Sequence, residues 1–261
     1  MDALSLHARH LPSLLGTDAP TLVVLHGLLG SSDNWQTLGK RYAEHHNVWM
    51  LDARNHGRSP HHPVHSYEAM AADVVHFLDA KGLARVSLLG HSMGGKTVLT
   101  LAQTHPERLD KLVVADIAAR AYTPHHGPIF EALEGVNLAE ASAREDVEAH
   151  LVAALNDDRV LVPFLMKGLH RRKEGGFAWR FNVPVLHGAL DRIVGAVEVG
   201  MNTLPTLVVR GSQSPYVSDD DLRELEGAFM QLDHHTVAGA GHWLHAEAPD
   251  EFFKVTADFL A

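Results

Sequence analysis

Cysteine is absent from the chain, which excludes disulfides, thiolate metal sites and a cysteine nucleophile. Net positive charge is also missing. The 32 Asp and Glu against 22 Lys and Arg leave a formal charge of −10, which argues against a non-specific binder of nucleic acid or of an anionic membrane surface. No apolar run approaches the ~20 residues that span a bilayer. The opening "MDALSLHARHLPSLLG" lacks the basic-then-apolar pattern of a secretory signal. These absences lead to the expectation of a cytoplasmic protein with no membrane span and no nucleic-acid partner. Internal repeats and low-complexity tracts are lacking too. What remains is 261 residues, 46% of them apolar, enough for one large α/β domain or a domain carrying an insertion.

Histidine is in excess, at 21 residues. The best metal-like grouping is "SPHHPVHS", with His61, His62 and His65, and its only nearby carboxylate is Glu68. Without cysteine or a tighter set, these read as solvated loop histidines, and no metal site is expected.

Short apolar runs recur at 21–27, 47–53, 85–91 and 111–117, and again at 206–211 and 234–241. Between the early runs lie helical patterns. In "SYEAMAADVVHFLDAKG", Met70, Val74, Phe77 and Leu78 fall at helical spacing, with Ser66 as N-cap and Gly82 as stop. Strands alternating with helices predict βαβ units: an α/β fold with a mostly parallel sheet and helices on both faces. "LSLHARHL" alternates and predicts an antiparallel edge strand. Residues 119–204 break the rhythm and are helix-rich, so they are expected to form an inserted helical cap. The core is then 1–118 together with 205–261.

The strongest chemical signal is "LLGHSMGGK" (88–96), a G-x-S-x-G placed between a predicted strand and a predicted helix. The sharp turn needs residues without bulky side chains around Ser92, and it presents the hydroxyl at a helix head as a candidate nucleophile. "VLHGLLGSSDNW" (24–35) ends the first parallel strand in a small loop. Acyl transfer needs two N–H donors where the oxyanion forms, and the backbone amides of Leu28 and Met93 are the natural pair. "AGAGHWLHAEAPDEF" (238–252) supplies His242, placed after a glycine-rich turn as a general base must be. His245 reads as packing, and His91 as pointing into the sheet or the site wall. In "LDARNHGRSP" (51–60), Asp52, Arg54 and Ser59 read as loop supports, while Asn55 and His56 are lesser candidates to line the pocket. Lys96 reads as a structural ion-pair partner.

Taken together, "LHGLLGSSDNW", "DARNHGRS", "GHSMGGK" and "GAGHWLHAEAPDEF" resemble the α/β-hydrolase superfamily over essentially the whole chain. "NHGRS", "GHSMGGK", "WRFNVPVL" and "SPYVS" resemble its YbfF-type bacterial esterases, similar to the ABHD-type acyl hydrolases. The resemblance implies an eight-stranded, mostly parallel sheet with a helical cap, and carboxylic-ester or thioester substrates.

The acid of such a site is not where much of that superfamily keeps it. In a G-x-x-D pattern after the penultimate core strand, this chain reads "GSQS", with Ser214 at the Asp position. Asp219, Asp220 and Asp221 follow closely but read as favourable charge at a helix N-terminus. Asp116 in "KLVVADIAAR" ends the strand after the nucleophile unit, at the same sheet edge as Ser92, and a buried carboxylate there demands a partner such as His242. The YbfF-type resemblance also implies an acid at this earlier strand, with the loop serine as helper. Asp116 is therefore assigned as the acid and Ser214 as auxiliary.

The sequence thus predicts a cofactor-independent serine hydrolase acting through an acyl-enzyme on small or acyl-chain esters. Ile129, Phe130, Leu161, Phe164, Leu165, Phe177 and Trp179 are candidates to wall the acyl pocket. An acyl-CoA thioesterase is the alternative, for which Arg120, Lys167, Arg171, Arg172 and Lys173 offer a basic rim. A carbon–carbon bond hydrolase or lyase comes after it.

Overall fold

The computed structural model describes residues 2–261. Nine strands occur among the described residues: β1 (Ala8–Leu11), β2 (Thr21–Leu25), β3 (Asn47–Leu51), β4 (Val86–His91), β5 (Leu109–Ala115), β6 (Leu169–Arg171), β7 (Phe177–Trp179), β8 (Thr206–Gly211) and β9 (Leu232–Val237). Eleven α-helices are interspersed among the described residues: α1 (Gln36–Tyr42), α2 (Tyr67–Ala80), α3 (Met93–Thr104), α4 (Gly127–Glu134), α5 (Arg144–Ala154), α6 (Leu161–Met166), α7 (Val183–Gly188), α8 (Leu190–Val194), α9 (Asp219–Ala228), α10 (Leu244–Glu247) and α11 (Pro249–Leu260). No helix among them is long and apolar enough to cross a membrane.

The main sheet has the order β1-β3-β2-β4-β5-β8-β9, with β1 antiparallel at one edge and every other pair parallel. It is the α/β architecture expected, with seven strands rather than eight among the described residues. The N-terminal stretch supplies the expected antiparallel edge strand, over Ala8–Leu11. Ahead of β1 it leaves the sheet for α2, where the Leu4 amide donates to Asp73 (2.6 Å) and Leu6 packs against the core.

Period-2 alternation puts neighbouring strand residues on opposite faces, and both faces are covered. Leu88, Val114 and Val208 enter the cluster beneath α2, α3 and α9, while Leu89, Val113 and Val209 enter the cluster beneath α1 and α11. This two-sided burial explains why β4 is apolar or small from Val86 to Gly90 and buried at every position through His91. α2 begins where Ser66 Oγ accepts from the Ala69 amide (3.3 Å) and stops just short of Gly82, whose φ of +65° suits a residue without a side chain.

The segment between β5 and β8 holds α4 to α8 and the β6–β7 hairpin, and it builds an apolar cluster of its own around Phe130, Leu151, Leu165, Trp179 and Leu186. Leu29, from the loop after β2, also enters this cluster.

Candidate active site

Parallel strands deliver their C-terminal ends to one edge of the sheet, and the expected site residues gather there. Ser92 lies between β4 and α3 with φ +53° and ψ −118°, a conformation that costs a residue with a Cβ of order 1–3 kcal/mol. Its neighbours make room for the turn. A Cβ on Gly90 would run into the Gly94 carbonyl, and one on Gly94 would lie 2.5 Å from the Leu25 carbonyl oxygen. The Ser92 amide donates to the Ala115 carbonyl (3.0 Å), tying the turn to the end of β5.

Ser92 Oγ is 3.0 Å from His242 Nε2, and His242 Nδ1 is 2.8 Å from Asp116 Oδ2. Asp116 is the first residue after β5. It has a φ of +51°, is fully buried, and its amide donates to the Val209 carbonyl (2.8 Å). Its carboxylate also accepts from the Gly211 amide (3.0 Å) on Oδ1 and from the Ser214 hydroxyl on Oδ2. The structure therefore brings Ser92, His242, Asp116 and Ser214 into one hydrogen-bonded line. Asp219, Asp220 and Asp221 stand apart at the head of α9. Asp219 pairs with Arg210 (2.6 Å), Asp220 with Arg223, and Asp221 with Arg120 (2.8 Å).

The His242 loop is braced by three side chains, of which the sequence reading assigned only His91 and left out Glu247 and Tyr216. Glu247 accepts from the amides of Gly241 (2.7 Å) and Trp243 (3.2 Å), on either side of His242. His91 Nε2–H donates to the His242 carbonyl (2.8 Å), so His91 anchors the His242 loop as well as lining the cavity wall. The Tyr216 ring stacks on the imidazole, with centroids 4.0 Å apart at 23°. Its hydroxyl donates to His125 Nε2 (2.7 Å), whose Nδ1–H is committed to the Thr123 carbonyl. Burial, helped by the nearby Asp116 charge, pushes the Tyr216 phenol up to about 12, which keeps it a donor. Their one sequence signal is position: Tyr216 is in "SPYVS" beside the loop serine, and Glu247 is five residues past His242.

The expected oxyanion donors lie where the backbone can approach. A Cβ on Gly27 would fall 3.2 Å from Ser92 Cβ, so the loop after β2 passes directly beside the hydroxyl-bearing residue. The Leu28 amide and the Met93 amide at the head of α3 donate to no protein acceptor among the described residues. Both therefore remain available to a ligand oxygen.

A cavity of about 270 Å³ opens at Ser92 and His242. Of the expected wall residues, Ile129, Leu161 and Phe164 line it, together with Leu28, Trp35 and Trp243. Phe130, Leu165, Phe177 and Trp179 do not; they are turned into the apolar cluster beneath. The reason is helical geometry. Adjacent residues on a helix point about 100° apart, so Ile129 and Phe130 cannot both face the cavity, whereas Leu161 and Phe164 at i, i+3 can. Trp179 instead stacks on Phe181 (5.2 Å).

Other expectations change in the same way. His245 does pack, stacking on Trp35 at 4.5 Å, but it also lines the cavity, where burial and the charges of His242 and Lys167 hold it near about 3. His65 is buried rather than solvated, held near about 3 by burial and by the charges of Arg54 and His26. Among the described residues no three His, Asp or Glu side chains converge as a metal site would require. Asn55 and His56 are wholly buried and do not reach the cavity. Asp52, Arg54 and Ser59 do support their loop: Asp52 accepts from the amides of Ser32 (2.6 Å) and Arg58 (2.8 Å), Arg54 pairs with Asp73 (2.7 Å), and Ser59 donates to the Asp52 carbonyl (2.6 Å). Lys96 forms no ion pair among the described residues; its buried ammonium donates to the carbonyls of Arg120 (2.7 Å), Val194 (3.5 Å) and Gly195. Among the residues of the expected basic rim, Arg120 is committed to Asp221, and neither Lys167, Arg171, Arg172 nor Lys173 lines the cavity.

Residues 20–249 match the family model described as alpha/beta hydrolase fold. The chain is 40% identical to esterase YbfF of Escherichia coli, over 92% of this chain and 92% of that protein. It is 37% identical to the sn-1-specific diacylglycerol lipase ABHD11 of Mus musculus, over 95% of this chain and 84% of that one. Among solved structures, a marine microorganism esterase superposes with a TM-score of 0.94 at 34% identity, covering 99% of this chain and all of its own.

Proposed function

This chain belongs to the α/β-hydrolase family as a YbfF-type, esterase-like hydrolase, and from that premise we propose that it cleaves carboxylic esters through a Ser92 acyl-enzyme. The observation that carries the reading is the hydrogen-bonded line from Ser92 Oγ through His242 to Asp116, at 3.0 and 2.8 Å.

In this mechanism His242 Nε2 takes the Ser92 proton as Oγ attacks the acyl carbonyl. The carbonyl π pair moves onto oxygen, and the amides of Leu28 and Met93 receive the oxyanion; one such donor is worth about 10²–10³ in rate. Asp116 holds His242 with its proton on Nδ1 and stabilises the imidazolium that forms. His242 then gives its proton to the leaving alkoxide, which departs as the alcohol. Water, deprotonated by the same imidazole, cleaves the acyl-enzyme and releases the acid. Nucleophile, base and oxyanion donors all come from the chain, so the reaction calls for no metal or organic cofactor. Ser214 is auxiliary, its hydroxyl supporting the Asp116 carboxylate.

We read residues 119–204 as a cap over the core formed by 1–118 and 205–261. Its Ile129, Leu161 and Phe164 supply the apolar wall for the substrate. A cavity of about 270 Å³ falls below the ~300–1,000 Å³ of pockets that enclose drug-sized ligands, which favours short and medium acyl groups. An acyl-CoA thioesterase would use the same residues, and so would a carbon–carbon bond hydrolase.

The test is hydrolysis of p-nitrophenyl esters from acetate to palmitate and of the matching acyl-CoAs, with a fluorophosphonate probe read by intact mass. The proposal expects a single adduct on Ser92, none in Ser92→Ala, and the best kcat/KM on short or medium esters. Ester turnover that survives in Ser92→Ala would overturn it, and faster acyl-CoA cleavage would select the thioesterase.

A further inference from the structure

The loop after β2 must hold the Leu28 amide still beside Ser92, yet it contains no proline and takes an unfavourable backbone to do so. Leu29 has a φ of +61°, a left-handed conformation that disfavours a residue with a side chain. The two peptide planes that meet at Leu28 are each gripped by a buried histidine. On one side, His26 Nδ1–H donates to the Gly27 carbonyl (2.7 Å) while its Nε2 accepts from the Ala53 amide (3.0 Å). In a trans peptide the N–H points opposite to the carbonyl, so holding the Gly27 oxygen aims the Leu28 N–H the other way. On the other side, the Leu29 N–H donates to His56 Nε2 (3.1 Å).

We infer that His56 is a positioning residue for the oxyanion hole, fixing the Leu28–Leu29 peptide plane and with it the aim of the Leu28 amide. The inference rests on the serine mechanism proposed above. His56 touches no substrate; it is wholly buried and outside the cavity. Its tautomer is set locally. Nδ1–H donates to the Arg54 carbonyl (2.9 Å), which leaves Nε2 as the acceptor that the Leu29 amide needs. Burial lowers the His56 pKa well below its ordinary value, so the ring stays neutral and keeps that lone pair. The ring is carried on a rigid turn in which the Asn55 amide donates to the Pro60 carbonyl (3.1 Å) and the His56 amide to the Ala53 carbonyl (3.0 Å). At the far end, the Leu29 side chain is buried in the cluster around Phe130, so the residue is pinned through both its amide and its side chain.

The test compares His56→Phe and His56→Asn, which leave nothing opposite the Leu29 amide, with His56→Gln, whose Oε1 reaches the place of Nε2. Active sites are counted by exhaustive fluorophosphonate labelling, so a loss of folded protein does not register as a loss of rate. Affinity is measured for a trifluoromethyl ketone, which adds Ser92 Oγ to its carbonyl and places an oxyanion in the hole. Per labelled site, the non-accepting variants should lose about 10–100-fold in kcat, less than deleting a donor outright, with KM changed by no more than about 3-fold. Ketone affinity should fall by the same factor, and His56→Gln should recover most of both. If the phenylalanine variant does not fold, the asparagine variant carries the test. Non-accepting variants that keep kcat within about 3-fold, or that lose kcat while still binding the ketone, would overturn the inference alone. A wild-type protein whose Ser92 takes no label would overturn the serine mechanism and this inference with it.

Discussion

Replacing Asp116 with asparagine changes one atom, and the surrounding hydrogen bonds decide which way the amide turns. The Gly211 amide faces Oδ1 at 3.0 Å and can only donate, so the asparagine oxygen must stay there. The NH₂ group then takes the place of Oδ2, 2.8 Å from His242 Nδ1. Because that NH₂ can only donate, His242 is forced to carry its proton on Nε2, facing Ser92, where it cannot accept one. Ser214 offers no correction, since its hydroxyl simply rotates to accept from the new NH₂. The wrong tautomer in a comparable triad costs about 10⁴ in kcat, or roughly 5.5 kcal/mol of transition-state stabilisation. Ser214→Ala removes one of the donors to a carboxylate that keeps its others, so its loss should stay near ten-fold, about 1.4 kcal/mol. The assay is steady-state hydrolysis of p-nitrophenyl butyrate, with circular dichroism to verify folding. The double variant Asp116→Asn, Ser214→Asp should regain at least about ten-fold, because it returns a carboxylate to the imidazole. An Asp116→Asn enzyme within about 100-fold of wild type, or a Ser214→Ala enzyme that loses more than it does, would refute the assignment of the acid.

Three further outcomes follow from the packing. His65 and His245 are held near about 3 in the folded protein, chiefly by burial, whereas the unfolded chain protonates them near 6.5. The unfolded state therefore binds more protons between these values, so stability is complete above about pH 6.5 and falls as the pH drops towards 3. At pH 5 each should have lost about 2 kcal/mol, read as a lower urea midpoint than at pH 7, and equal midpoints would contradict it. Lys96→Met keeps the bulk of the side chain but deprives the carbonyls of Arg120, Val194 and Gly195 of a donor, and should cost about 3 kcal/mol. For a chain of this size that is a fall of roughly 6–12 °C in Tm, and an unchanged melting curve would rule it out. Gly94→Ala puts a Cβ 2.5 Å from the Leu25 carbonyl oxygen and 2.7 Å from that of His26, so the head of α3 must back away from the loop that carries Leu28. Esterase activity in the folded variant should drop by about 100-fold or more, and an enzyme of wild-type rate would show that the two elements need not meet so closely.

The thioester alternative differs from the ester reading in substrate, not in machinery. A coenzyme A moiety carries phosphates that favour cationic partners, and Arg120, one of the residues expected to form a basic rim, is already paired with Asp221 at 2.8 Å. The cavity itself is walled mainly by apolar side chains and histidines, of which His91, His126 and His245 are held neutral by burial, and no Lys, Arg, Asp or Glu among the described residues lines it. Such a lining suits an uncharged acyl group.

Local features were legible in the sequence because the sequence determines them directly. The two-sided apolar pattern of "RVSLLGH" identified β4, since a strand buried on both faces has no polar alternation to show. Ser66 and Gly82 bounded α2 because a hydroxyl cap and a left-handed stop are backbone chemistry. Ser92 was legible for the same reason, since the glycines around it are demanded by the turn itself. What the sequence by itself determined, then, was the order of the elements, the strand-edge origin of Ser92, Asp116 and His242, and the family that their motifs resemble.

Tertiary structure alone decided which groups meet. Asp116 and His242 are 126 residues apart, and only parallel packing of β5, β8 and β9 brings their ends within 2.8 Å. Facing was equally out of reach: Ile129 and Phe130 are both large and apolar, and only the docking of α4 turned the first towards the cavity and the second into the cluster. Histidine was the residue type read least well, because one side chain serves as base, acceptor, donor or packing surface according to its partners. His56 Nε2, His91 Nε2 and the ring of His245 received three different tasks from the loops folded against them. A spacing rule carries information along the chain, but a hydrogen bond between distant loops depends on directions that exist only once the sheet has set its edges.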